Sequence, residues 1–250
     1  MKTLTTLALL IVLGNASMGQ SPPFSNKPWA NNYPVVLDAY NKNAINYAQL
    51  KASNIVSAII FKASGGIIAD KGYAESVKQA KANGFLVASY HLGLNDDPIK
   101  QADFYLAQIG DGKKQPMALD IEELNSKNIS LPDAEKFINR IFEKTGKYPF
   151  LYCNNAVFEA INAKYDKNSV FAKCPLWYAR FLDSNRLPTL STNVWNKVTL
   201  WQFACEINCQ NKDTKKDNPS CPLRVPGTQN DMDVNAYNGT LQELKTFFNF

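Results

Sequence analysis

The sequence predicts an α/β fold, a modified TIM-type barrel of five strand–helix units followed by three strands. Short apolar runs rich in Val, Ile, Tyr and Phe alternate with amphipathic segments, as in sheets whose parallel strands need crossover helices. Eight such runs occur, and eight strands are the number that closes a small barrel. An open doubly wound sheet is the competing fold, but no GxGxxG-type glycine pattern follows an early strand.

Each strand is predicted where β-branched and aromatic residues cluster, and each helix where apolar residues repeat with helical spacing between start and stop signals. Gly84 and Gly146 are such stop signals. The predicted strands are 34–38, 55–62, 85–91, 116–121, 148–153, 175–181, 197–203 and about 231–236. The predicted helices are 43–53, 72–83, 97–109, 132–145, 155–164 and 240–248. With no internal repeat, residues 33–250 are predicted to form one barrel domain.

The first residues are typical of a signal peptide. Lys2 precedes an apolar run over residues 4–13, and the small residues Ser17 and Gly19 favour cleavage before Gln20. The apolar run is too short to span a bilayer. We therefore expect a signal peptide at 1–19, a surface leader at 20–32, and a secreted product, extracellular or periplasmic, without a membrane span.

Composition narrows the class of protein further. The chain has 45% hydrophobic and 20% charged residues, which excludes intrinsic disorder. Its net charge of +5 is spread along the sequence and forms no nucleic-acid-binding footprint. His91 is the single histidine, so multi-histidine metal sites are excluded, and no metal or cofactor is expected.

The five cysteines are compatible with export. Cys153 and Cys174 stand apart, whereas Cys205, Cys209 and Cys221 cluster in a polar stretch. The pairing cannot be deduced from the sequence. We expect one disulfide within the cluster and one thiol left over, and we rank a zinc site lower because no nearby histidine supplies a fourth ligand.

Polar and ionisable residues mark the carboxyl ends of the predicted strands. In barrels of this class the active site lies at that end, so these side chains are expected to meet there. They are Asp38, Lys62, His91, Asp120, Glu122, Tyr152, Arg180, Gln202 and Asp233. Any one of them could simply end a strand, but acidic residues are disfavoured in strands and here interrupt very apolar runs.

Asp120 and Glu122 are the most informative pair. Side chains alternate across a strand, so both carboxyls project to one face while Leu119 and Ile121 face the other way. Two neighbouring carboxyls in a partly dry pocket cannot both ionise at low cost, so one tends to keep its proton and can act as a general acid. Taken alone, the Asp-x-Glu pattern more often marks a solvated strand end than a catalytic pair.

Two further carboxyls and several aromatic rings extend this pattern. Asp38 and Asp233 lie on the first and last strands, which become neighbours when a barrel closes. Aromatic residues near the same strand ends could stack on sugar rings, although each could also be a core residue. They are Tyr90, Tyr152, Trp177 and Trp201. An acidic cleft with aromatic walls favours hydrolysis of a polysaccharide by paired carboxyls.

The motifs in their order resemble glycoside hydrolase family 25, the Chalaropsis-type lysozymes. The resemblance covers nearly the whole chain after the leader. Its motifs are Asp38, Ile60-Phe61-Lys62-Ala63-Ser64, Ala88-Ser89-Tyr90-His91, Ala118-Leu119-Asp120-Ile121-Glu122, Leu176-Trp177-Tyr178-Ala179-Arg180, Leu200-Trp201-Gln202-Phe203 and Met232-Asp233-Val234-Asn235-Ala236-Tyr237. Where the family usually reads Lys-Ala-Thr-Glu-Gly, this chain has Lys-Ala-Ser64-Gly65-Gly66.

The resemblance implies a function and a set of roles. It implies cleavage of the β-1,4 bond between N-acetylmuramic acid and N-acetylglucosamine in bacterial peptidoglycan by a monomer, with retention assisted by the substrate acetamide. Glu122 resembles the general acid, Asp120 its partner at the acetamido group, and Asp38 and Asp233 the two further acids. The expected substrate-binding residues are Lys62, Tyr90, Tyr152, Trp177, Arg180, Trp201 and Gln202, and His91 is expected to support a neighbour.

Two alternatives remain open from the sequence. The chain could be a carbohydrate-binding barrel with weak turnover, against which the four retained carboxyls argue. It could also hydrolyse a chitin-type polymer, but the Asp-x-x-Asp-x-Asp-x-Glu pattern of such barrels is missing, because Ala118 occupies one of its Asp positions.

Overall fold

Eight strands close into a barrel in this computed structural model, which describes residues 33–110, 114–181, 187–205, 225–229 and 232–249. The strands are β1 (Val35–Ala39), β2 (Val56–Gly65), β3 (Ile68–Ala69), β4 (Leu86–Leu92), β5 (Met117–Ile121), β6 (Phe150–Asn154), β7 (Leu176–Ala179), β8 (Leu200–Ala204) and β9 (Asp233–Tyr237). The eight predicted strands are confirmed, and β3 is an addition that pairs with the end of β2. The predicted signal peptide and leader lie outside the described residues.

The helices surround the barrel and follow the predicted order. They are α1 (Tyr47–Ala52), α2 (Tyr73–Ala82), α3 (Pro98–Ile109), α4 (Leu131–Thr145), α5 (Asn155–Lys164), α6 (Val170–Lys173) and α7 (Leu241–Phe248). Local signals explain their ends: Ser130 caps α4 by accepting the Asp133 amide at 3.2 Å, and Gly146 ends it in the left-handed region at φ 71°. The short helix α6 was not predicted.

The strand order is that of a closed, mixed barrel. Around the ring it runs β1, β2, β4, β5, β6, β7, β8 and β9, and β9 returns to β1. Pairs from β1 to β8 are parallel, but β9 is antiparallel to both β8 and β1. The expectation that Asp233 ends its strand was therefore wrong: Asp233 begins β9, and the reversed direction of β9 brings it to the rim where the other strands end.

Side-chain alternation divides the apolar residues into two layers. One layer fills the barrel, and its far end is covered by Leu244 and Phe248 of α7. The other layer lies between the strands and the outer helices and includes Leu119, Ile121 and Phe137. The opposite end of the barrel, where β1 to β8 terminate, is left open for polar groups.

The cysteine prediction is tested only in part. Cys153 and Cys174 are both buried and neither forms a disulfide. Two of the three cysteines in the predicted disulfide cluster, Cys209 and Cys221, lie outside the described residues, so that disulfide stays a prediction. In the described part of the chain, no helix is both long and apolar enough to cross a bilayer.

Candidate active site

A pocket of about 260 Å³ opens at the rim where strands β1 to β8 end. Its walls come from five parallel strands, the residue just past one of them, and the start of β9. The lining residues are Asp38, Tyr90, Asp120, Glu122, Tyr152, Trp177 and Asp233. The barrel thus brings together all four predicted carboxyls and three of the four predicted aromatic residues.

The two carboxyls from β5 lie in different environments. Asp120 is 6% exposed, and its Oδ1 is buried without a hydrogen-bond partner, whereas Glu122 lies just beyond the strand and is exposed. Burial raises the pKa of Asp120 well above its usual range, and the neighbouring charge of Glu122 raises it further. Burial therefore favours the neutral form of Asp120.

The other two carboxyls meet across the closing seam of the barrel. Asp38 of β1 lies directly opposite Asp233 of β9 in the antiparallel register, and their side chains are hydrogen-bonded. Asp38 Oδ2 also accepts hydrogen bonds from Asn235 Nδ2 at 2.7 Å and Gln202 Nε2 at 3.2 Å. Burial raises the pKa of Asp38 to about 6, while these hydrogen bonds act in the opposite direction.

Three aromatic side chains form one wall of the pocket. Trp177 is buried, and the rings of Tyr152 and Tyr90 meet it edge-on with centroid distances of 4.8 and 6.4 Å. Burial, together with the nearby carboxylates, raises the pKa of both tyrosines well above the usual range, so both hydroxyls stay protonated. The wall offers apolar ring faces and hydroxyl groups, which suits a sugar ring.

Comparison with known protein families identifies the class of enzyme to which this pocket belongs. The sequence model described as glycosyl hydrolases family 25 matches residues 37–211, which is more than half of the chain. The chain belongs to glycosyl hydrolase family 25. It is therefore a glycoside hydrolase, and the matched segment contains three of the four pocket carboxyls.

Solved structures agree with the family 25 fold. A bacterial lysozyme from Streptomyces coelicolor matches with a TM-score of 0.70 at 20% identity, covering 88% of this chain and 98% of that one. A family 25 lysozyme from Aspergillus fumigatus matches with a TM-score of 0.66 at 19% identity, covering 87% and 99%. At these identities the likeness establishes the barrel fold. No curated protein matches the sequence.

Four of the predicted substrate-binding residues are placed outside the pocket lining. Lys62 lies half-buried in β2, beside Tyr90 in the register, and its charge lowers the pKa of Asp120. Gln202 faces the interior at 2% exposure, with its amide already hydrogen-bonded to Tyr152 and Asp38.

Arg180 and Trp201 belong to the outer side of the barrel. Arg180 hydrogen-bonds Asn155 and the Tyr178 hydroxyl, away from the acidic pocket. Trp201 is 1% exposed, packs in the outer apolar layer and donates its indole N–H to the Arg180 carbonyl at 2.6 Å. Alternation along β8 explains this placement, because Trp201 must face opposite to its neighbour Gln202.

His91 supports the fold from outside the pocket, as predicted. Its ring is buried and stacks on Phe137 at 5.0 Å, with Nδ1 hydrogen-bonded to Ser64 Oγ at 2.9 Å and Nε2 to Gln101 Oε1 at 3.2 Å. Burial lowers its pKa to about 4, so the imidazole is neutral. Ser64, where the family usually has Thr, therefore contacts this core histidine and does not face the pocket.

Sequence reasoning missed Asn235. This buried residue lies between Asp38 and Trp177 and hydrogen-bonds to both. The signal was present in the strand pattern, because Asn235 follows Asp233 by two positions and so shares its face of β9. A buried amide in an otherwise apolar strand needs polar partners, which indicates a site.

Proposed function

We propose that this family 25 member is a secreted lysozyme that hydrolyses the β-1,4 bond between N-acetylmuramic acid and N-acetylglucosamine in bacterial peptidoglycan. The observation that carries the proposal is the convergence of four carboxyls on one aromatic-walled pocket at the open end of the barrel. The enzyme is proposed to act as a monomer and without a cofactor, as the resemblance to family 25 lysozymes implies.

The positions of the carboxyls suggest their roles. Glu122 is exposed at the mouth, where the oxygen linking two sugars can reach it, and is proposed as the general acid. Asp120 lies deeper and is proposed to orient the acetamido group of N-acetylmuramic acid. Asp38 and Asp233, across the pocket, are proposed to stabilise the positive charge that develops at the anomeric carbon.

The proposed reaction proceeds in two steps with retention. Glu122 transfers its proton to the glycosidic oxygen as the bond from that oxygen to the anomeric carbon breaks, and the acetamido oxygen forms a bond to that carbon. Water then attacks the same carbon, its proton returns to Glu122, and the bond to the acetamido oxygen breaks. The products are a new reducing N-acetylmuramic acid and a new 4-hydroxyl on N-acetylglucosamine.

The substrate-binding proposal centres on the pocket wall. Tyr90, Tyr152 and Trp177 are proposed to contact the sugar, and Lys62 to meet an anionic or polar group at the rim. Arg180 lies on the outer side, so it can contribute only where a long glycan extends beyond the pocket. Trp201 is buried in the outer apolar layer and is proposed to support the fold without contacting the sugar.

Digestion of purified peptidoglycan tests the function directly. Mass spectrometry of the soluble fragments after borohydride reduction should find reduced N-acetylmuramic acid at the new ends. Reduced N-acetylglucosamine at those ends would overturn the bond assignment. Binding without new reducing ends would indicate the carbohydrate-binding alternative, and cleavage of chitin oligosaccharides in preference to peptidoglycan would indicate the chitinase-type alternative.

The general-acid assignment is tested by Glu122→Gln. Loss of the transferable proton should lower kcat on peptidoglycan by about 10²- to 10⁴-fold, the usual contribution of general acid catalysis. Glu123→Gln is the matched control, because it removes the same charge from the next exposed position and should keep near-wild-type activity. A fully active Glu122→Gln enzyme would remove Glu122 from the role.

A further inference from the structure

A chain of hydrogen bonds runs beneath the pocket from one aromatic residue to another. The Tyr152 hydroxyl donates to Gln202 Oε1 at 2.9 Å, and Gln202 Nε2 donates to Asp38 Oδ2 at 3.2 Å. From the other side, Trp177 Nε1 donates to Asn235 Oδ1 at 2.6 Å, and Asn235 Nδ2 donates to the same Asp38 oxygen at 2.7 Å. The chain therefore ends on one carboxylate oxygen from both directions.

The indole of Trp177 decides how the Asn235 amide is oriented. An indole N–H can only donate, so the atom of Asn235 that faces it must be the oxygen. The amide nitrogen is then left to face Asp38 and the Val36 carbonyl, to which it donates at 3.1 Å. Because Asn235 is completely buried, water cannot replace these partners.

Two amide donors on one oxygen favour a particular protonation state of Asp38. An oxygen that accepts two N–H groups carries no proton, so both contacts stabilise the carboxylate form. Asp120 is buried to the same degree in the same pocket, yet its Oδ1 receives no hydrogen bond. The two amides therefore distinguish these otherwise similar buried carboxyls.

We propose that Asn235 and Gln202 are positioning residues that hold Asp38 as an oriented carboxylate beside the anomeric carbon, with Trp177 and Tyr152 setting the direction of the two amides. The proposal rests on the proposed lysozyme function for its catalytic meaning. Neither amide touches the substrate, since the functional groups of both are used within the protein. Trp177 and Tyr152 thus have a second role besides contact with the sugar: they orient the two amide side chains.

Other ionisable groups also face Asp38. Asp233 lies on β9, Asp120 on β5 and Glu122 just past its end, and the hydroxyls of Tyr90 and Tyr152 come from β4 and β6. Lys62 on β2 is a cation near this group through its interaction with Asp120. Burial and the charge of Glu122 raise the pKa of Asp38, whereas the hydrogen bonds from Asn235, Gln202 and Asp233 lower it. The two amide donors are therefore part of what keeps Asp38 ionised.

The main test is Gln202→Met, which keeps the side-chain length and removes the donor. The acidic limb of the kcat–pH profile on peptidoglycan should move up by about one pH unit, with kcat at about pH 5 falling about tenfold and KM changing less than about twofold. Asn235→Leu should have a larger effect, and Gln202→Met keeps the test decisive if the Asn235 variant fails to fold. Trp177→Phe, which frees the Asn235 amide to rotate, should shift the limb in the same direction.

Asn238→Asp is the matched control. Asn238 lies just past the far end of β9 and donates an amide hydrogen bond to the Val198 carbonyl at 2.8 Å, away from the pocket. Its substitution removes a donor of the same type but should leave the acidic limb unchanged.

A second readout separates this proposal from the proposed function. The carbon-13 titration of the Asp38 carboxyl, assigned by its absence in Asp38→Asn, should move to higher pH in Gln202→Met. If that shift occurs in a protein that does not cleave peptidoglycan, the arrangement stands and the lysozyme proposal fails. If the protein cleaves peptidoglycan but neither the titration nor the pH limb moves, the positioning role is overturned.

Discussion

Environment, more than residue type, distinguishes the acidic residues of this pocket. Asp38 and Asp120 are chemically identical and equally buried, but only Asp38 has amide donors on its carboxylate. Glu122 lies two positions beyond Asp120 and is exposed. Such separation of neighbouring carboxyls allows one pocket to hold an acid and a charge-stabilising group at the same pH.

Asp38 should make the protein less stable as the pH rises. Its folded-state pKa of about 6 lies above the ordinary value of 3.8, so the folded protein holds this proton more tightly than the unfolded chain. The stability that this proton confers is fully present below pH 3.8 and is lost as the pH rises to about 6. The loss amounts to about 3 kcal/mol of unfolding free energy.

Asp38→Asn provides the measurement. Asparagine keeps an oxygen for the two amide donors but cannot ionise, so the variant should gain about 3 kcal/mol over wild type between about pH 4 and about pH 7 in urea unfolding. The stabilised variant should also lose activity, because active-site residues are often retained at a cost in stability. Equal pH dependence of the two proteins would contradict the raised pKa.

At the scale of elements, strand direction and close backbone contacts position the carboxyls. The reversed direction of β9 places Asp233 opposite Asp38. If β9 ran parallel to its neighbours, Asp233 would lie at the other end of the barrel. The end of β5 is held by the Gly93 amide, which donates to the Asp120 carbonyl at 2.9 Å. Gly93 also lies against Ile129, whose Cγ2 would be 2.5 Å from a Cβ built on the glycine.

Gly93→Ala should therefore disturb the site through packing. The overlap with buried Ile129 should cost about 1–3 kcal/mol of unfolding free energy and lower kcat by displacing the end of β5. A double-mutant cycle with Ile129→Ala, which removes the colliding atom, should recover part of both losses. Equal cost of Gly93→Ala in both backgrounds would rule out this contact as the cause.

At the scale of the whole molecule, the pocket exists because the ring is closed. Asp38 and Asp233 are separated by most of the chain and meet only where β1 pairs with β9. Apolar side chains fill the interior below the pocket, and α7 covers the far end, so the acids lie on a packed floor. Within the described residues, no cluster of three or more His, Cys, Asp or Glu side chains is arranged to hold a metal ion.

Hydrogen exchange should report this closure. Amides of β1 and β9 should exchange as slowly as those of β5, because strands in a closed ring open only with global unfolding. The matched comparison is β3, whose single partner among the described strands is β2. Its amides should exchange about a thousandfold faster. Fast exchange confined to β1 and β9 would mean that the seam opens independently of the rest.

Much of this protein could be predicted from local sequence patterns. Alternating apolar runs determined the strands, their number predicted the barrel, and the two-residue spacing of Asp120 and Glu122 placed both on one face. The order of motifs was enough to indicate the family. These properties depend on neighbours along the chain, so they can be derived from the chain alone.

Other features were decided by the tertiary structure. The direction of β9, the outward position of Trp201, the role of Ser64 beside His91 and the contacts of Asn235 all depend on which distant residues become neighbours. The same is true of proton affinity, since identical Asp side chains differ only through burial and hydrogen bonds supplied by other strands. Spacing along a strand determines which face a side chain occupies, but only the closed barrel determines what it meets there.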